Sequence, residues 1–226
     1  MAKKTYLTAA LFFLVITYTG LNALNTGDPL RHIGAYLKEA KNVSYSTDMG
    51  NEPGRVNNIR LRFSEGIIGY FSRYKTGLKI RNTDIEARDL RLKYNSPGDV
   101  DMQSSSAGSV RIHSLEISQE DLTVFAARVY RKINNVRVII VNNRIILSGR
   151  YSGMRFEAGV MLYKPKNGAA DIGLKFDGMK AGKIRVPNRL TAVLMRGDGM
   201  LLKKLGITTK LYYNNITAQN GTLRIN

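Results

Sequence analysis

Residues Ser118 to Leu147 read SQEDLTVFAARVYRKINNVRVIIVNNRIIL, and the spacing of apolar positions changes period within this stretch. Ser118-x-x-Asp121 has the form of a capping box, in which a hydroxyl takes up a free N–H of the first helical turn. Leu122, Phe125, Ala126, Val129 and Ile133 follow at helical spacing and predict one apolar face. From Val136 the period falls to two. Val136, Val138 and Ile140 alternate with Arg137, Ile139 and Val141, and Ile145 and Leu147 resume after an Asn142-Asn143 turn. Beyond Gly153, Phe156, Ala158, Val160 and Leu162 alternate, as do Ile172, Leu174 and Phe176. A one-faced helix followed by one-faced strands predicts an α+β fold: a long curved antiparallel sheet wrapped around one or two amphipathic helices.

The flanks extend this pattern. Asp28-Pro29 has the form of a helix start, and Leu30, Ile33, Leu37 and Ala40 share a helical face as far as Lys41. Asn42 to Arg55 is polar and reads as a loop. Ile59, Leu61 and Phe63 oppose Arg60 and Arg62, as in a strand. Residues 77–81 and 85–94 read as strands with a bend near Asn82-Thr83, and in the second Leu90 and Leu92 oppose Arg91 and Lys93. Asn95 to Ser109 reads as a long loop, and Val110, Ile112 and Leu115 as a short strand. Further on, Ile184-Arg185-Val186 is a short strand and Pro187-Asn188 introduces a second helix carrying Leu190, Val193 and Leu194. Residues 207–213 and 221–225 predict a closing hairpin, with the Asn-rich segment 214–220 as its turn.

Lys plus Arg number 35 against 17 Asp plus Glu, for a net charge of +18. Such a surplus favours polyanionic partners: nucleic acid, phospholipid headgroups or acidic glycans. The absence of Cys excludes disulfides, Cys-based metal sites and thiol chemistry. Met1-Ala-Lys-Lys-Thr-Tyr followed by the apolar run Leu7–Leu21 reads as a signal peptide over residues 1–23, too short for a typical membrane span. The alternatives are an uncleaved anchor and a buried helix. Cleavage takes Lys3 and Lys4 and lowers the charge from +18 to +16. Residues 28–226 then form one domain.

The sequence holds little catalytic chemistry. His32 and His113 are its two histidines, and each fits its local pattern. Asp84 and Glu86 share a strand face but are interleaved with Arg81, Arg88 and Arg91, which neutralise them. Arg196-Gly197-Asp198-Gly199 lacks the spacing and the lysine of a phosphate loop, and Ser148 and Ser152 lack a base partner. No enzyme, metal site or cofactor is expected. Aromatics interleaved with cations at Tyr70–Tyr74 and Tyr151–Phe156 suit single-stranded nucleic acid, but Phe156 is in phase with core positions. Nucleic acid is not the expected partner.

Lipid binding suits the pattern better. A sheet curling over helices leaves an apolar cleft, here assigned to Leu122, Phe125, Val129, Ile133, Phe156, Val160, Leu174, Leu194, Met195 and Leu201. Arg60, Arg62, Arg91, Lys93, Lys203 and Lys204 are the candidate cations for headgroups or a membrane surface. The alternative is a structural or surface-associated envelope protein whose basic face binds an acidic glycan or protein.

The order of elements from Leu30 to Asn226 carries a resemblance. Residues 85–90, the Ser118-x-Glu120-Asp121-Leu122 helix start, the long hairpins, the Pro-preceded helix and the ending Gly206-Ile207-Thr208…Asn220-Gly221-Thr222-Leu223-Arg224-Ile225 resemble the LmeA-like phospholipid-binding family of bacterial envelope proteins. The resemblance implies export, a sheet wrapped around a helix loosely similar to tubular lipid-binding folds, and non-enzymatic phospholipid binding in the envelope. The chain departs from that pattern in its high positive charge and in a Pro-rich link reduced to Leu205-Gly206-Ile207. The charge implies a preference for anionic lipid.

Overall fold

The computed structural model describes residues 37–52, 55–71, 76–91, 94–96, 99–100, 106–166, 171–186, 199–200 and 210–226. Strands β1 (Leu37–Lys41), β2 (Ser44–Met49), β3 (Arg55–Phe71) and β4 (Thr76–Arg91) come first. Next, β5 (Tyr94–Ser96), β6 (Asp99–Val100) and β7 (Ser106–Ser118) lead into helix α1 (Gln119–Val129). It is followed by β8 (Ile133–Val141), β9 (Arg144–Tyr151), β10 (Met154–Tyr163), β11 (Gly173–Ala181) and β12 (Ile184–Val186). Last are β13 (Gly199–Met200), β14 (Lys210–Tyr212), β15 (Ile216–Gln219) and β16 (Thr222–Ile225).

These strands form two main sheets. The first has eight strands in the order β1-β3-β4-β7-β16-β15, with β2 beside β3 and β14 beside β7. The second has six in the order β12-β11-β10-β9-β8, with β13 beside β11. Every pairing is antiparallel except β14 on β7. One edge of β7 is shared: β14 pairs along Ser109–Arg111 and β16 along Leu115–Ser118.

Strand makes up 74% and helix 7% of the described residues, and no barrel closes among them. The fold is therefore mostly β, not the α+β fold expected, and α1 is the one helix among the described residues. The expected helix ending at Lys41 is instead strand β1 where it is described, and the expected loop at 42–55 contains β2. The region around Leu190 to Leu194 and its expected second helix lie outside the described residues.

Single residues in left-handed conformation explain the misreading. Glu39, Asn82 and Asp89 have φ of 53°, 47° and 52°, and the register shifts across the first two. One extra residue brings Leu37 and Ala40, or Ile80 and Thr83, to the inner side of the sheet although they lie three apart. On β1 that spacing imitates a helix. On β4 it joins the two expected strands into one, with the expected bend as a bulge.

The first sheet buries one face. Ile59, Leu61 and Phe63 on β3, Leu78 and Ile80 on β4, and Ile112, Leu115 and Ile117 on β7 are all buried. Phe125 and Ala126 of α1 belong to the same core. The helix starts where expected: Ser118 Oγ accepts from the Asp121 N–H, 3.1 Å away. It ends earlier than expected. Tyr130 N–H donates to the Ala126 carbonyl and Ile133 N–H to that of Tyr130, so Ile133 begins β8 instead of extending the helical face.

The two sheets meet at Ile140. Its N–H donates to the Gln119 side-chain oxygen (2.9 Å) and its carbonyl accepts from Gly221 N–H (3.1 Å), while Gln119 N–H donates to the Gly221 carbonyl (2.7 Å). One turn along the helix, Thr123 Oγ1 donates to the Gln119 carbonyl and accepts from Val138 N–H at 3.0 Å. Side chains of α1 thus satisfy the free edge of β8, which would otherwise present unpaired backbone groups. Asn220 and Gly221, both at positive φ, form the tight turn that brings this backbone into place.

Thr123→Val keeps the shape but leaves Val138 N–H without its acceptor, so it is expected to lower unfolding stability by about 1–3 kcal/mol. Thr47→Val on exposed β2 is expected to change it by less than about 0.5 kcal/mol. Urea unfolding of both variants checks the contrast, and equal effects would refute the edge-satisfying role.

Candidate functional site

Register makes the second sheet apolar on one face from edge to edge. Val138, Leu147, Ala158, Met179 and Val186 are successive cross-strand partners across β8, β9, β10, β11 and β12. Ile140, Ile145, Val160 and Phe176 form a second row, and Gly149, Phe156, Ala181 and Ile184 a third. Burial declines along the rows. Val138 and Ile140, under α1, are buried; Ile145 and Leu147 are half-buried against the core; Ala158, Val160, Met179 and Val186 are half-buried; and Ile184 is 72% exposed. The helix covers the β8 side, and the apolar surface continues beyond it.

The expected cleft residues are distributed along this gradient. Phe125 is buried in the core and Leu122 and Ile133 pack against it. Phe156 and Val160 are half-buried further out. A Cβ on Gly149 would lie 2.5 Å from Ile133 and 3.3 Å from Phe156, so its lack of a side chain lets those two residues close over β9. The side chains of Val129 and Leu174 are outside the described set, as are residues Leu194, Met195 and Leu201.

The expected cations are placed differently. Arg60 makes a bidentate pair with Asp84, both contacts at 2.7 Å, and Arg62 Nε reaches the same carboxylate at 3.0 Å. Both are therefore committed to the first sheet. Arg91 is exposed at the end of β4. Lys93, Lys203 and Lys204 lie outside the described residues.

The polar face of the first sheet pairs several of its carboxylates with cations. Glu65 is met by Lys41 and Lys79, and Glu116 by Arg224. Asp121, in the first turn of α1, is joined to Arg81 of β4. Glu86, only 5% exposed, accepts from Arg88 Nε at 2.7 Å and lies 3.0 Å from His113 Nε2. The sequence shows that these carboxylates are neutralised, but not that His113, across on β7, takes part. Burial pushes the Glu86 carboxyl up, but hydrogen bonds from Arg88 and His113 outweigh it and hold it below the usual carboxylate range. Asp84 behaves alike: burial raises it, and Arg60 and Arg62 outweigh that and lower it.

Where the β10–β11 connection meets the tail, Tyr213 OH donates to the Asp171 carbonyl at 3.1 Å. Burial, and then the nearby Asp171 charge, pushes this phenol up to about 12. The contact anchors the tail to the β10–β11 connection. Among the described residues no group of three His, Asp or Glu could hold a metal ion, and no helix is long and apolar enough to cross a membrane.

The chain matches no protein-family model, no curated protein and no solved structure.

A carboxyl with a depressed folded pKa adds stability above its unfolded pKa, about 4.3 for Glu, and loses it as pH falls through the folded value. Glu86→Gln is therefore expected to be less stable than the parent at neutral pH, the gap narrowing as pH falls below about 4. Thermal unfolding across that range reads the gap, and one equally wide at all pH values would rule out ionisation as its source.

Proposed function

We propose that this chain binds phospholipid in the cell envelope, without catalysis, by holding acyl chains against the apolar face of the second sheet. The observation that carries this reading is the cross-strand row from Val138 to Val186, which runs past the cover of α1 and is still half-buried on β12. An acyl chain gains about 0.8 kcal/mol per CH₂ taken out of water. A bilayer offers the same gain, so a protein face need only match it and let headgroup contacts tip the balance. The surplus of cations favours an anionic headgroup. The basic and apolar segment at 1–23 supports export to the periplasm or the outer side of the membrane. The resemblance in element order to the LmeA-like family points the same way.

Native mass spectrometry of the exported chain tests the reading, with co-purified phospholipid as the expected result. Val160→Glu puts a charge in the middle of the second row and is expected to lower lipid occupancy roughly tenfold, since a buried charge costs more than the loss of two CH₂ contacts. A lipid-free parent chain retained on an acidic polysaccharide would overturn this reading in favour of a surface-associated protein.

A further inference from the structure

Three chain connections lie at one end of the second sheet. Tyr130–Lys132 joins α1 to β8, Ser152-Gly153 joins β9 to β10, and Gly182-Lys183 joins β11 to β12. Register sets them side by side: Ile133 pairs with Tyr151, Met154 with Tyr151, and Ala181 with both Phe156 and Ile184. Gly182 N–H donates to the Arg155 carbonyl at 2.6 Å and ties two of the tips together. The opposite end is occupied by the molecule itself. There Asn143 N–H donates to the Ala218 carbonyl, and Lys164 Nζ to that of Asn214.

The free end has two unlike sides. Tyr151, Met154 and Ile184 prolong the apolar rows and are 53%, 57% and 72% exposed. Around them Arg131, Lys132, Arg150, Arg155, Lys183 and Arg185 are all exposed, and none forms an ion pair with a described residue. No Asp or Glu occurs anywhere from Leu122 to Phe156, or from Gly178 to Val186. Arg150 and Arg155 even face each other across the β9–β10 ladder, an arrangement that is unfavourable unless an anion lies between or near them. Most cations of the first sheet, in contrast, are drawn into pairs with carboxylates.

We infer that this end of the second sheet is a docking surface for an anionic phospholipid bilayer. Cations meet the headgroups while Tyr151, Met154 and Ile184 enter the interface, the division of labour found in interfacial anchors. A soluble polyanion would use the same cations but leave the three apolar side chains without reward, which is why a bilayer fits better than nucleic acid or glycan. The docking does not rest on acyl chains being held along the rows, although it would put their open end against the membrane.

The chain contains no Trp, so a single Tyr151→Trp substitution provides a local fluorescence reporter. With vesicles of phosphatidylcholine and phosphatidylglycerol, its emission is expected to shift to the blue, while Tyr45→Trp on exposed β2 stays unchanged. Arg150→Gln is expected to weaken vesicle partition about fivefold at low salt, and adding Arg155→Gln by a similar factor again. Ile184→Ser is expected to weaken the residual binding at high salt, where the charge contribution is screened. Tip variants that keep their co-purified lipid but leave the vesicles support this surface independently of the acyl-chain reading. An unshifted Tyr151→Trp spectrum, equal shifts at both reporters, or binding to heparin or duplex DNA with none to vesicles would overturn it.

Discussion

A single backbone position, Ile140, is held from both sides: by the amide side chain that opens the helix and by the turn that joins the last two strands. Among the described residues the two sheets share no hydrogen-bonded strand pair, so their relation rests on this contact, on Thr123 one turn further along, on the apolar packing of Phe125 and Ala126, and on the links from Asn143 to Ala218 and from Tyr213 to Asp171 at the other end. Three residues far apart in sequence converge there. Gln119 serves as helix start, edge cover and partner of the Gly221 carbonyl at once. That economy explains how one 11-residue helix serves so large an area of sheet.

With the helix fixed at the β8 edge, the rest of the second sheet extends away from the core. The cross-strand row beginning under the helix as buried Val138 ends on β12 as half-buried Val186, and a neighbouring row ends there as exposed Ile184. The same geometry sorts the charges. On the first sheet, long strands bring Asp84, Glu86 and Glu65 beside arginines and lysines of neighbouring strands, and the charges are largely neutralised pairwise. On the second sheet carboxylates are scarce, with Glu157 and Asp177 already engaged by Lys180 and Arg144. Among the described residues the second sheet with its connections therefore carries more net positive charge than the first, away from the residues whose local density of arginine first draws attention.

The candidate site was partly legible from spacing. Alternation placed Phe156 and Val160 on one apolar face because strand side chains alternate wherever the ladder is regular. Neighbouring rows were not legible, because which residue lies opposite another depends on register, and the β10–β11 register shifts at Gly159–Val160. Nor could spacing show that Arg60 and Arg62 converge on Asp84, more than twenty residues away. Arg131, Lys132, Lys183 and Arg185 carried no local signal beyond charge; only their gathering at one end gives them a common role.

By itself the sequence determined the features written in local chemistry: the Ser118 cap, the alternating faces of β8 to β10, and the tight turn at Asn142-Asn143. Each depends on residues a few positions apart. The tertiary structure alone decided that residues 37–41 form a strand, that residues 210–212 run parallel to β7 instead of completing a hairpin with the final strand, and that a mostly β molecule forms around one helix. Those outcomes turn on one-residue bulges that break the period of two and on hydrogen bonds between segments more than a hundred residues apart. Periodicity within a window cannot register either.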